Sequence, residues 1–329
     1  MSVGPTPPVG SPVQGLLVTG QAVPATAAPT PLAQAPDPIA TLLARAVDAA
    51  RADAAIRQSG MGALMADMQP ALSSAALPAN VRAAIRQVLA MALPTDTAPS
   101  VAMLKAAIAR SGLFMESHIA QTPGAAPNDM KAALLVLQQA LMAGGAILTS
   151  RPPRASTAPP SKGGVVAAQG PRAAATLADD IPERLLQILG DDTEHALARQ
   201  TLHQIASLPD ETSGARWMFE LPMMTPQGAS VAQFAIERDD PGAGSSAGPA
   251  WRARFAIDLP PLGPVHVHLR LHDGHSSTAL WVEQPDSLAL LREESPRLAG
   301  ALGGDVVVHA GSPHAPQAPP PGALVNRSS

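Results

Sequence analysis

The sequence predicts an α+β C-terminal domain, an antiparallel strand meander with a leucine-rich helix, preceded by an N-terminal part that is loosely helical and largely disordered. Three observations support this fold class. From Arg216 onward hydrophobic residues alternate with a period of two, whereas earlier segments repeat with the helical period. All three tryptophans and every phenylalanine except Phe114 lie in the alternating part. Prolines are concentrated outside it, where they oppose regular structure.

The composition excludes several classes of function. The chain has 36 prolines, 26 glycines and only 2% aromatic residues, so much of it lacks the large side chains whose burial offsets the entropy of ordering. Its 22 basic and 26 acidic residues form no dense basic patch, which argues against nucleic acid as a partner. The absence of cysteine excludes disulfides and thiol catalysis. No stretch has the length and hydrophobicity of a membrane span, and the first twenty residues lack the features of a secretory signal.

The N-terminal half divides into three parts. Recurrent prolines predict a disordered tail over residues 1–36. Residues 37–148 form a helical region, in which Asp37, Ser100 and Asn128 are expected to cap helices and Gly60 and Gly144 to end them. Residues 149–179 are a linker rich in proline, glycine and serine, without hydrophobic periodicity.

Residues 180–311 are predicted to form the C-terminal domain. A short helix from Pro182 to Leu189 precedes a longer one that Asp192 caps. Five strand-like runs follow, namely WMFELPM, VAQFAIERD, WRARFAIDL, VHVHLRL and STALWVEQ. Asp286 then caps a leucine-rich helix that Pro296 breaks or restarts, and VVVHA forms a last strand. Residues 312–329 are predicted to be a second disordered tail.

The stretch GPVHVHLRLHDGHS raises the question of a metal site. In the predicted strand, His266, His268 and His272 share one face, and two histidines at i and i+2 can bind the same metal ion. Arg270 adds a positive charge to that face, and the strand itself places no acidic residue there. A half-buried strand with a solvated or partner-facing surface is therefore the favoured interpretation, and a metal site is the alternative.

No other pattern argues for catalysis. Asp191, Asp192, Glu194 and His195 are interpreted as the acidic first turn of a helix. The segment GAGSSAG does not have the spacing of a phosphate-binding loop, and no nucleophile-elbow or zinc-protease motif occurs. We therefore expect no enzymatic activity and no cofactor.

The C-terminal residues resemble a known family. The corner LPPLGPV at residues 259–265, the segment ALWVEQPDSLALLREESPRLAGAL and the final VVVHA are similar to the C-terminal domain of flagellar hook-length control proteins. The resemblance covers about residues 217–311, and SGLFMESHIA and NDMKAALLVLQQAL also resemble a helical region of some members. Compared with the family, the segment between the last helix and the last strand is shortened and the C-terminal tail is brief.

The resemblance implies a soluble, monomeric protein that is made in the cytoplasm and exported through the flagellar type III apparatus. Such a protein measures the hook, while its C-terminal domain switches export from rod and hook subunits to filament subunits. The implied partners are the export-gate switch protein and the hook and hook-cap subunits, with no small-molecule substrate and no nucleic acid. The residues that match the family's corner, strand and helix, and are implied to bind the partner, are Leu262, Gly263, Val265, Val267, Pro296, Leu298 and Leu302.

Each of these seven residues can equally be a core or turn residue. Two other functions also remain open at this point. One is a metal-dependent or enzymatic sheet domain that uses the three histidines at positions 266, 268 and 272, which zinc titration would detect. The other is a scaffold protein that is not exported, which secretion together with hook subunits would exclude.

Overall fold

The structure is a computed structural model that describes residues 38–123, 128–148, 152–153, 157–209, 214–239 and 248–313. The tail predicted over residues 1–36 and most of the tail predicted over 312–329 lie outside these residues. Among the described helices, none combines the length and the hydrophobicity needed to cross a membrane.

Six helices occupy the region predicted to be helical. They are α1 (Pro38–Arg57), α2 (Met61–Ser73), α3 (Ala79–Leu89), α4 (Val101–Ala109), α5 (Met115–Gln121) and α6 (Met130–Ala143). Ser100 caps α4 as expected, since its side chain accepts a hydrogen bond from the Met103 amide. The cap of α6 is Asp129 and not Asn128, because the Asp129 carboxylate accepts from the Lys131 amide at 2.9 Å.

The helix that follows the linker is longer than predicted. A single helix, α7 (Pro182–Ala206), replaces the two expected helices, and Asp192 lies within it instead of capping a second one. Gly190, which lies between the two predicted helices, packs closely on its neighbours, since a side-chain carbon added there would lie 3.3 Å from Cδ2 of Leu148. Tertiary packing along the whole length of α7 therefore outweighs the weak helix propensity of glycine.

The strands from Arg216 onward and the last helix follow the predicted order, whereas the two-residue strand at Leu93–Pro94 lies in the region predicted to be helical and was not predicted. The strands are β1 (Leu93–Pro94), β2 (Arg216–Thr225), β3 (Gly228–Asp239), β4 (Ala250–Leu259), β5 (Gly263–His272), β6 (His275–Val282) and β7 (Gly304–Ala310), and α8 (Pro285–Leu302) joins the last two. They form one sheet in the order β1 to β7, antiparallel from β2 to β6 and parallel at both ends. Asp273 and Gly274 make the β5–β6 turn with φ of 47° and 78°, as their sequence predicts. The α+β fold class is confirmed.

Helix α8 differs from its prediction at two points. It begins at Pro285 after Gln284, so that Asp286 lies in the first turn and does not cap the helix. It also continues through Pro296 without a break. Proline lacks the amide that would bond to the carbonyl four residues earlier. The Ser295 hydroxyl donates to that carbonyl, on Arg292, at 2.8 Å, and so replaces the missing bond.

The largest hydrophobic core lies among the helices and not among the aromatic strands. Methionines and leucines of α2, α6 and α7, such as Met65, Met68 and Leu137, pack together with the valines and the isoleucine of α3, and Ala229 and Val231 of β3 join them. Small alanines allow the helices to approach, and the flexible methionines fill the remaining space. The helices and the first strands of the sheet therefore share one core.

Residues 157–176, between α6 and α7, are held against this core although the structure places no helix in them. Val166 and Thr176 are fully buried, and Gln169 pairs with Val231 of β3 through backbone hydrogen bonds of 2.8 and 3.3 Å. The buried carboxylate of Asp67 accepts hydrogen bonds from the amides of Ala175 and Thr176. Residues 157–176, which we call the strap, thus lie across the fold despite their linker-like composition.

Candidate functional site

The two faces of strands β4 to β7 have different characters. The front face carries Val265 and Val267 and is covered by α8, as described below. The back face carries His266, His268 and Arg270 on the same strand. This division follows from the alternation of side chains along a strand and is the one the sequence predicts.

On the front face, the predicted partner-binding valines are core residues. Val265 and Val267 are buried with Leu280 and Val282, and Leu288, Leu291 and Leu298 of α8 pack against them. Full burial of one such side chain contributes about 1.5–3 kcal/mol, so this cluster fixes α8 on the sheet.

The corner between β4 and β5 is fitted to the start of α8. Gly263 has a φ of 70°, a conformation that side-chain-bearing residues seldom adopt. A side-chain carbon at this position would also lie 2.6 Å from Cδ of Gln284, the residue before α8. Leu262, next to it, is half-buried. The corner therefore requires glycine both for its backbone and for space.

The helix residues predicted to bind a partner are more accessible. Leu298 is half-buried against the front face, whereas Pro296 is exposed and Leu302 is 36% exposed. The seven predicted residues thus lie in one corner–strand–helix unit, in which the strand residues are covered and the helix residues are partly open to contact.

On the back face, the three histidines each have a different neighbour. His266 is only 6% exposed, and its Nε2 lies 3.8 Å from Oε1 of Glu283. The ring of His268 lies 4.6 Å from that of Trp281, and Nε2 of His272 lies 3.2 Å from a carboxylate oxygen of Asp273. No group of three or more potential metal ligands occurs among the described residues.

Acidic groups nevertheless reach the back face from neighbouring strands. The strand that carries the histidines supplies none, but Glu283 approaches His266 from the end of β6. Burial, followed by the charge of Glu283, raises the pKa of Asp258 above its usual range. At this end of the sheet the basic face of β5 therefore has acidic neighbours on other strands.

A buried group of charges was missed by the sequence analysis. Arg199 of α7 and Glu220 of β2 are each only 1% exposed, and Nε of Arg199 donates to Oε1 of Glu220 at 2.5 Å. Gln169 of the strap donates to the same oxygen at 2.6 Å. Arg199 also donates to the side chain of Gln58 at 2.6 Å and to the carbonyl of Ala158 at 3.0 Å. One ion pair therefore joins the helices, the strap and the sheet.

Electrostatics keeps this pair charged. Burial is the largest single influence and would raise the pKa of Glu220, but the combined attraction of Arg199 and His203 outweighs it, and the pKa falls to about 2. Burial lowers the pKa of the adjacent His203, whose Nε2 lies 3.7 Å from Glu220, too far for a hydrogen bond. The sequence does contain a signal for this cluster, since Glu220 interrupts an apolar strand and Arg199 and His203 share one helix face at i and i+4.

The cluster of Asp191, Asp192, Glu194 and His195 is placed differently from its prediction. It lies in the middle of α7 and not in a first turn, and Asp191, Asp192 and His195 are buried there. Glu194 pairs with Arg57 of α1 at 2.8 Å. These residues connect helices.

Comparison with known proteins identifies the part of the chain that contains the corner and α8. Residues 239–308 match the family model of the flagellar hook-length control protein FliK, and this range spans β4 to β7 with α8. Comparisons with curated proteins and with solved structures gave no match. The resemblance found in the sequence is therefore confirmed, and residues 239–308 form a C-terminal domain of the flagellar hook-length control type.

Proposed function

We propose that this chain is an exported flagellar hook-length control protein, which measures the hook and switches type III export from rod and hook subunits to filament subunits. The observation that carries the proposal is the match of residues 239–308 to the hook-length control family. The range coincides with a contiguous unit, four strands and a helix that share the cluster around Val265 and Val267.

The proposed switch works by binding and not by chemistry. The exposed positions of α8, including Pro296 and Leu302, offer a surface to the export-gate switch protein. The covered residues Gly263, Val265 and Val267 hold that helix in position. Of the seven residues implied by the resemblance, we therefore assign contact to the helix residues and positioning to the corner and strand residues.

The proposed measuring function resides in the N-terminal half and involves the hook and hook-cap subunits. Residues 1–180 could span up to roughly 600 Å if fully extended, at ~3.4 Å per residue. Helices reduce this reach to ~1.5 Å per helical residue. Because α1 to α6 are folded in the structure, measurement over the full span requires these helices to unfold during export.

The switch is tested by complementing a deletion strain with charge-reversal variants. The Arg297 side chain on α8 is 86% exposed, so Arg297→Glu changes the proposed contact surface without removing core packing. Arg51→Glu on α1, where the side chain is 62% exposed, is the matched control. We expect overlong hooks without filaments for Arg297→Glu and normal hooks with filaments for Arg51→Glu, measured by electron microscopy.

The role itself is tested by removing residues 210–311. Normal hook length and normal filaments after this deletion would contradict the proposal, whatever the point variants do. An absence of the intact protein from the culture supernatant, under conditions in which hook subunits are secreted, would contradict export and favour a scaffold that stays in the cell.

The measuring function is tested by an in-frame deletion of residues 5–34. If this segment is measured in an extended form, hooks should shorten by up to ~100 Å, at ~3.4 Å per residue, and filaments should still form. An insertion of equal length at the same place should lengthen them. Unchanged hook length in both strains would refute a ruler in this segment.

A further inference from the structure

The back face of β4 to β7 forms an open groove on the side opposite α8. The groove has a volume of about 740 Å³ and is lined mainly by residues of these four strands, together with Arg216 of β2, Glu237 of β3 and Gly163 of the strap. None of the described helices covers it, unlike the back face of β2, on which α7 packs.

The groove places two arginines side by side. Arg252 of β4 and Arg270 of β5 are direct cross-strand partners, and like charges in this arrangement are destabilising. Arg252 is neutralised by Asp239 at 2.5 Å. Arg270 is exposed and forms no ion pair within the part of the chain that the structure describes. An anionic group bound here would relieve this repulsion.

The carboxylate nearest to the other arginines of the groove is already shared between them and does not neutralise Arg270. Arg216 and Arg254 both bind Oε1 of Glu237, at 3.1 and 2.9 Å, so two guanidinium groups share one carboxylate. Among the described residues, and including Arg252 and Arg270, four arginines face three carboxylates, those of Glu237, Asp239 and Asp305. This described part of the groove therefore has one excess positive charge, centred on Arg270.

A second, aromatic part of the groove lies further along the strands. The ring of Trp281 lies between those of His268 and His309, at 4.6 and 5.1 Å. Val307, beside it on β7, is 51% exposed. In the strand register, Arg270 is paired with Ser277, four residues before Trp281 on β6, which corresponds to about 13 Å.

We propose that this groove binds an extended, acidic segment of a partner protein. A carboxylate of the segment occupies the site at Arg252 and Arg270, where guanidinium groups form charge-assisted hydrogen bonds. An apolar side chain four residues along the segment contacts Trp281 and Val307. Because alternate residues of an extended chain lie on the same side, both side chains reach the sheet together.

The distance between the arginine pair and Trp281 favours an acidic peptide over a nucleic acid as the bound partner. Nucleic acid requires many phosphate contacts, and an excess of one positive charge does not supply them. Trp281 is flanked by two imidazole rings and is half-buried, so it offers no open platform for a stacked base. The inference concerns the face opposite α8 and does not depend on the hook-length function.

The test measures binding of a labelled peptide to the full chain by fluorescence anisotropy at low salt. The probe is an extended peptide of serine and glycine with two glutamates and, four residues further on, two leucines. A peptide with glutamine in place of glutamate is the control. We expect binding only of the glutamate peptide and a loss of affinity as sodium chloride is raised.

The Arg270→Gln variant should weaken binding of the glutamate peptide about tenfold or more, since one charge-assisted contact is lost. Its urea midpoint should stay the same or rise slightly, because the Arg270 side chain is exposed and the substitution removes a charge that repels Arg252. Arg292→Gln, at an exposed position of α8 on the other side of the domain, should leave affinity unchanged.

Three results would overturn the proposal. These are no binding of the glutamate peptide at millimolar concentration, equal binding of the glutamine peptide, and equal affinity of the Arg270→Gln variant. Competition by a single-stranded RNA of similar length with higher affinity than the peptide would also overturn it, in favour of a nucleic-acid surface.

Discussion

Replacement of Glu220 by glutamine tests the role of the buried ion pair. The change keeps the size of the side chain and removes its charge, so Arg199 becomes a buried charge with no opposite charge to compensate it, although its hydrogen bonds to Gln58 and Ala158 remain. Both side chains are only 1% exposed, and Arg199 lies at the junction of α7, the strap and β2. Removing one partner of a buried pair costs about 3–5 kcal/mol, because the remaining charge is no longer compensated.

The depressed pKa of Glu220 also makes the stability of the fold depend on pH. The pKa of Glu220 falls from 4.5 to about 2, and each unit corresponds to ~1.4 kcal/mol, so ionised Glu220 contributes ~3 kcal/mol to stability. For a carboxyl group with a depressed pKa, this contribution is present above the unfolded-state value. It is lost as the pH falls from about 4.5 through about 2.

The assay is urea denaturation of the wild type and of Glu220→Gln from pH 7 to pH 2. We expect a difference in the free energy of unfolding of about 3 kcal/mol at pH 7 that shrinks below pH ~4, where the wild type also loses the charge. A double variant, Arg199→Met with Glu220→Gln, should recover part of the loss because no unpaired charge remains. A difference below ~1 kcal/mol at pH 7, or one that does not change with pH, would refute this reasoning.

Four further predictions concern the corner, the helix, the strap and the histidines. Gly263→Ala should lower the free energy of unfolding by at least ~1 kcal/mol, because position 263 has a positive φ. Adding Gln284→Ala to the same chain should recover only the steric part of this loss. An unchanged urea midpoint in Gly263→Ala would count against the fitted corner. Leu298→Ala should lower the free energy of unfolding by about 2–3 kcal/mol at this half-buried site, and Leu298→Met should lower it by less than ~1.5 kcal/mol. Only the methionine variant is therefore suitable for tests of hook length. Equal losses in the two variants would show that the front-face packing is misassigned. Hydrogen exchange should be slow at the Thr176 amide and become fast in Asp67→Ala, whereas fast exchange already in the wild type would show that the strap is not docked. Replacement of the three back-face histidines by serine should not change the zinc content of the protein after dialysis against a chelator. If the wild type retains stoichiometric zinc and the triple variant does not, the metal-site alternative is established.

Local patterns in the sequence predicted the sheet and the position of its turns. The five central strands appear where the period of two predicts them, because alternation directly encodes which side chains face the core. Asp273–Gly274 forms its turn for an equally local reason, since these residues tolerate positive φ. The placement of the valines and histidines of β5 on opposite faces likewise required only the strand periodicity.

What lies on each face of the sheet was decided by contacts between residues distant in the sequence. The partners of Arg199, Glu220 and Asp67 are separated from them by about twenty to more than a hundred positions, and no local pattern specifies such pairs. Helix α7 continues through Gly190 because tertiary packing along its whole length stabilises it. The helix propensity of single residues does not account for such packing. The register of β4 to β7 alone brings Arg252 beside Arg270 and Trp281 beside His309, and thereby creates the groove. The sequence by itself therefore determined the central strands, their faces and the family of the C-terminal domain. Tertiary pairing decided which charges are buried, which are compensated and which remain open to a partner.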